Sequence, residues 1–132
     1  MKPLVKILFG IVAFLIFLLL LVCERDRPLQ ELIPLYASPT SQFMPLLGME
    51  VHFRDEGLKS DSVPIFLLHG MSSSLHTWDS VVLQLATQKR VISLDLPGFG
   101  LTGPSPENTY NFDYYNKFID SFSRRLQIKR FT

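Results

Sequence analysis

The chain has 132 residues, with 13 Lys plus Arg against 12 Asp plus Glu and a formal net charge of +1. That length leaves room for one domain, and the near balance of charge argues against a dedicated nucleic-acid protein, because neutralising several phosphates takes a clustered basic surface. The single cysteine, Cys23, excludes an internal disulfide and any cysteine-based zinc site.

Residues 7–23 carry no charge and are dominated by Leu, Ile, Phe and Val. At about 1.5 Å per residue they reach roughly 25 Å, and Leu4, Val5 and a snorkelling Lys6 extend the stretch to nearly the thickness of a bilayer core. Residues 1–23 are therefore expected to form a transmembrane anchor, giving a single-pass membrane protein. A cleaved signal peptide is the rival reading, but its apolar region is normally shorter and followed by small residues. Lipid attachment at Cys23 is a further alternative, against which Val22 stands where a small residue belongs. Lys2 and Lys6 oppose Arg25 and Arg27 across the span, and the bias leans to an N-terminus inside, with the globular part extracytoplasmic or periplasmic.

Residues 24–45 contain Pro28, Pro34, Pro39 and Pro45, a composition that suits a tether and resists regular structure. Globular sequence is expected from 46 to 132. Apolar and polar residues alternate from Met49 to Asp55, the period of a half-exposed strand, predicting an early antiparallel hairpin at the sheet edge. Two mainly apolar runs follow, at 63–68 and 91–96, and read as parallel strands buried on both faces. Between them, Ser72, Ser73 and Ser74 offer caps, and Leu75, Trp78, Val82 and Leu85 recur at helical spacing as a crossover helix. The Gly- and Pro-rich stretch 98–107 is a loop. Phe112, Tyr115, Ile119, Phe122 and Leu126 then predict a second amphipathic helix, in which Arg124-Arg125, like Lys129-Arg130 beyond it, forms a solvated face. Residues 128–132 look like the approach to another strand. The pattern is an α/β fold.

Ligands of such sheets bind beyond the carboxyl ends of the strands, where His69-Gly70 and Pro97-Gly98-Phe99-Gly100 fall. Residues 98–103 also match G-x-G-x-x-G. A dinucleotide site needs a helix starting inside that motif, but Pro104 and Pro106 follow it, and Asp120 lies on a helix face where an acidic residue at a strand end is required. The loop reading prevails, and no cofactor is expected. His69 and His76 are the only close histidine pair, without a third ligand between them, so no metal site is expected. His69 reads as a hydrogen-bonded structural histidine. The turn after it exposes the backbone N–H groups of Met71 and Ser72 towards the crevice, and such groups can stabilise an oxyanion. Neither Ser72–Ser74 nor Ser105 stands in a G-x-S-x-G turn, so the chain contains no nucleophile elbow.

Phe66-Leu67-Leu68-His69-Gly70, then Trp78, then Asp95-Leu96-Pro97-Gly98-Phe99-Gly100-Leu101-Thr102 together resemble the α/β-hydrolase superfamily, in its bacterial branch of esterases, haloperoxidase-like and epoxide-hydrolase-like proteins. The resemblance covers residues 46–132. It implies that the run at 65–68 is the third strand, lying between the fourth and the fifth, and that one of its edges is unpaired here. It implies that Met71 donates its backbone N–H to an oxyanion hole, with Ser72 the lesser candidate, and that His69, Gly70, Asp95, Pro97, Gly98 and Gly100 form the motif turns. No triad side chain is present, so the resemblance implies an N-terminal portion of a hydrolase, inactive alone. The expected activity of the whole is membrane-anchored hydrolysis of a small ester or related acyl compound through a serine. A dehalogenase- or epoxide-hydrolase-like enzyme with an Asp nucleophile and a non-catalytic membrane-anchored interaction module are the alternatives.

Overall fold

A computed structural model describes residues 3–23 and 27–132. Lys2, Glu24, Arg25 and Asp26, on which the orientation and linker readings partly rest, lie outside the described residues. The first element is helix α1 (Pro3–Val22), 20 residues with none buried. Its length corresponds to about 30 Å, enough to cross a bilayer core. A signal sequence has the same character.

The stretch expected to be an irregular linker carries helix α2 (Leu29–Tyr36) and most of strand β1 (Ser41–Leu46). The prolines are accommodated rather than disruptive. Pro28 caps α2 with φ −61°, and Pro45 sits in an edge strand, where a missing N–H costs no ladder bond. Leu47 and Gly48, both at positive φ, make the tight two-residue turn into β2 (Met49–Gly57).

The sheet has the order β1-β2-β4-β3, with β3 at Ile65–Leu68 and β4 at Arg90–Leu94. β1 pairs antiparallel with β2 (Met44 opposite Val51), β2 antiparallel with β4 (Arg54 opposite Ser93), and β4 parallel with β3 (Leu94 opposite Leu68). The early hairpin and the parallel pair are thus as expected. The crossover is a 3-10 turn, Leu75–Trp78, running into α3 (Asp79–Leu85), and Leu75 and Val82 are its buried residues. No serine hydroxyl caps either start.

Three burial patterns differ from expectation. Residues 51–54 of β2 are all buried, because α4 (Phe112–Arg125) covers one face and the 74–79 segment the other. β3 is less buried than a two-faced core strand, with only Phe66 inside, because it lies at the sheet edge. In α4 the core positions are Tyr114, Phe118 and Phe122, while Phe112, the first helical residue, is exposed. Phe122 packs edge-on against Phe53 and Phe66, at 5.2 and 5.9 Å between ring centres, which joins helix and sheet into one core.

Gln127 at φ 58° closes α4, and Ile128 N–H donates to Ser123 O at 2.8 Å. The chain then reaches the edge of β3 that is expected to be unpaired, and begins to cover it. Phe66 N–H donates to Thr132 O at 2.8 Å and Thr132 N–H to Pro64 O at 3.0 Å, a parallel bridge, while Phe131 stacks on Phe66. The expected approach to a further strand beside the third is in place.

Candidate active-site crevice

Because β3 and β4 are adjacent and parallel, His69 and Asp95 leave the sheet side by side. His69 Nε2 accepts the Leu96 N–H at 3.0 Å, so the ring proton sits on Nδ1 and is donated to Gly70 O at 2.8 Å. Both nitrogens are engaged, Nδ1 within the turn and Nε2 across to the end of β4, which is the behaviour of a structural histidine.

Asp95 is 1% exposed, and its carboxylate accepts three hydrogen bonds. Oδ1 takes Leu75 N–H at 2.7 Å, and Oδ2 takes Leu101 N–H at 2.8 Å and His52 Nδ1–H at 2.7 Å. Burial pushes the Asp95 carboxyl up, but the His52 ring and the two amides outweigh it and leave it below the ordinary carboxylate range. One side chain thereby fixes both turns at the strand ends to β2. His52 is fully buried, bonds Ser41 Oγ through Nε2 at 2.7 Å, stacks on Phe43, and through its own N–H holds Thr102 Oγ1 at 3.0 Å.

His52 is the functional-region residue that the sequence reading missed. As the polar member of an alternating strand it looked solvent-facing. The available signal was that β2 neighbours a strand ending in an acidic residue, so an imidazole and a carboxylate meet at the sheet's end.

The loop after β4 is closed on itself. Phe99 N–H donates to Leu96 O, Thr102 N–H to Phe99 O and Gly98 N–H to Gly103 O, and no helix begins within it. The Gly98, Phe99 and Thr102 amides thus serve the turn itself, and Leu101 N–H serves Asp95. Gly100 adopts φ +53°, and a Cβ there would overlap the Asp95 carboxylate; Gly70 has open space around it.

Beyond Gly70, Met71 is 88% exposed and Ser72 is at φ 56°. Among the described residues neither N–H donates to a protein acceptor. The same end of the sheet holds a cavity of about 200 Å³ lined by Leu32 and Tyr36 of α2, Ser74 and His76, and Asp95 and Leu101. His76 Nε2–H donates to Tyr36 O at 2.8 Å, tying α2 to this rim. Among the described residues no group of three or more His, Cys, Asp or Glu is placed to hold a metal ion.

Known proteins share this fold. The α/β hydrolase fold family matches residues 63–132. A haloalkane dehalogenase of Mesorhizobium japonicum is 28% identical over 96 residues, which are 73% of this chain and 30% of the dehalogenase. Human protein ABHD14A is 48% identical over 48 residues, 34% of this chain and 18% of its own length. The Cif epoxide hydrolase of Acinetobacter nosocomialis superposes with a TM-score of 0.62 at 25% identity, over 80% of this chain and 36% of that enzyme. The chain thus spans about a third or less of these relatives. With the sheet order, the His-Gly turn after the third strand and the Asp95-centred turn after the fourth, the chain belongs to the α/β hydrolase fold family.

Proposed function

We propose that residues 1–132 supply the membrane anchor, the substrate crevice and one arm of the oxyanion hole of a hydrolase that cleaves ester or related acyl bonds through a serine nucleophile. The observation that carries this reading is the unengaged Met71 N–H, directly after the His69-Gly70 turn, which the His69–Leu96 hydrogen bond ties to the end of β4. In this reading the serine, its general base and the acid come from sequence outside these 132 residues. The serine Oγ attacks the acyl carbon, the Met71 N–H, with Ser72 N–H the lesser candidate, receives the developing oxyanion, and water then releases the acyl group. Residues 3–22 anchor the protein as a single span, N-terminus inside, with the fold on the extracytoplasmic side.

The test is kinetic. In the active enzyme, Met71→Pro removes the backbone donor and is expected to lower kcat about 10²- to 10³-fold on a short-chain p-nitrophenyl ester. Met71→Ala keeps the donor and stays near wild type. Equal rates for Met71→Pro and wild type contradict the assignment.

A second reading is favoured by the dehalogenase and epoxide hydrolase among the relatives. An Asp at the elbow would attack a carbon bearing halogen or an epoxide oxygen. Halide release from a haloalkane without ester hydrolysis would select it.

A further inference from the structure

We propose that the substrate is a lipid ester taken directly from the bilayer, with its acyl chain held in the cavity between α2 and the strand-end loops. This rests on the reading of α1 as a membrane span.

Three observations converge. The first is placement: α2 closes the crevice rather than lying elsewhere on the domain. Leu32 and Tyr36 form one wall of the cavity, Leu101 and Asp95 another, and the His76–Tyr36 hydrogen bond fastens the helix to the segment that follows the His-Gly turn.

The second is reach. Six Cα steps separate Cys23, just beyond α1, from Leu29 at the start of α2, and fully extended they cover no more than about 22 Å. Leu32 lies three residues into the helix, adding about 5 Å. Whatever path the intervening chain takes, the cavity wall is within roughly 27 Å of the end of the span, less than the diameter of a small domain. The cavity wall is therefore kept close to the end of the span.

The third is chemistry. Leu29, Leu32 and Ile33 are half-buried, whereas Leu35 and Tyr36 are 64% and 56% exposed, so α2 has apolar side chains outward as well as inward and carries Glu31 as its one charge. A tyrosine beside exposed leucine is the composition of a headgroup-level contact. The cavity's 200 Å³ exceeds the ~150 Å³ that suffices for a benzene-sized apolar guest, and its lining reaches Asp95 and Leu101 of the strand-end loops. An acyl chain entering past Tyr36 would run towards those loops.

The experiment uses the full chain reconstituted in phosphatidylcholine vesicles that carry a phosphatidylcholine with a diazirine in its acyl chain. After irradiation, adducts are mapped by mass spectrometry. Adducts are expected on α1 and also on peptides containing Leu32, Tyr36 or Leu101. Leu32→Trp, which fills the cavity, should lower the second group about tenfold while leaving the α1 adducts unchanged. Leu83→Gln, on an exposed position of α3 away from the cavity, should change neither group. Adducts confined to α1 in a chain that resists carbonate extraction overturn the inference and leave the proposed hydrolase standing. Adducts on α2 and Leu101 that persist undiminished in Leu32→Trp also overturn it, since they would report surface contact alone. Release of the chain by carbonate removes the membrane span on which the inference rests.

Discussion

The Asp95 carboxylate occupies the space that a side chain at Gly100 would need, so the two residues define each other. The backbone turns back at φ +53° to bring Leu101 N–H onto Oδ2, which only a residue without Cβ permits at this distance. Gly100→Ala is expected to destabilise the fold by about 2 kcal/mol or more, combining left-handed strain with displacement of the carboxylate. Gly70→Ala, with open space and no positive φ, should cost under about 1 kcal/mol. Urea unfolding of both variants checks the contrast, and equal losses would contradict it.

His52 and Asp95 form a buried, fully bonded pair at 2.7 Å. Removing the imidazole leaves a buried carboxylate with two amide donors and one missing partner, so His52→Ala is expected to cost about 3–5 kcal/mol. Ser41→Ala removes a single hydrogen bond at the far end of the same chain of contacts and should cost about 1 kcal/mol. Thermal unfolding of the two variants separates these values.

Acid should loosen the strand-end turns. The Asp95 carboxyl is lowered in the folded chain, its burial being outweighed by His52 and the two amides, and Asp55 is lowered likewise, with burial outweighed by Arg90 and Lys59. Between the lowered values and the ordinary carboxylate range near pH 4, the unfolded chain binds more protons than the folded one. The stability these groups contribute is complete above that range and is lost as pH falls through the lowered values. Asp95→Asn should flatten the acid limb of the stability profile, and an acid limb as steep as that of wild type would contradict the assignment.

The core lies under the middle of α4. Phe118 is fully buried and Phe112 is 79% exposed. Phe118→Ala should cost about 3–5 kcal/mol and Phe112→Ala under about 0.5 kcal/mol, measured by denaturant midpoints. Comparable losses at both positions would contradict the packing.

Much of this arrangement was legible in the residues. The apolar runs ending in His69-Gly70 and Pro97-Gly98 located the parallel strands and the crevice, because a buried strand and its glycine turn are both local signals. Phe112 was placed in the core because a spacing argument marks a stripe without fixing where the first turn begins. α2 and β1 were hidden because proline content speaks to local propensity, whereas both elements exist through docking, α2 on the His76 rim and β1 along β2. His52 was hidden for a related reason. Alternation along β2 suggests one face in water, and only the sheet order, which sets β2 beside β4, reveals that the polar face is covered and that His52 meets Asp95.

The most direct test of the proposed serine hydrolase is to read the transcript beyond codon 132 in all three frames and to confirm the encoded mass in the source cells. The account predicts a strand that continues the Thr132 pairing along β3 and leads into G-x-S-x-G. G-x-D-x-G in its place would transfer the chain to the dehalogenase and epoxide hydrolase chemistry, and a stop with no elbow motif in any frame would contradict a catalytic role.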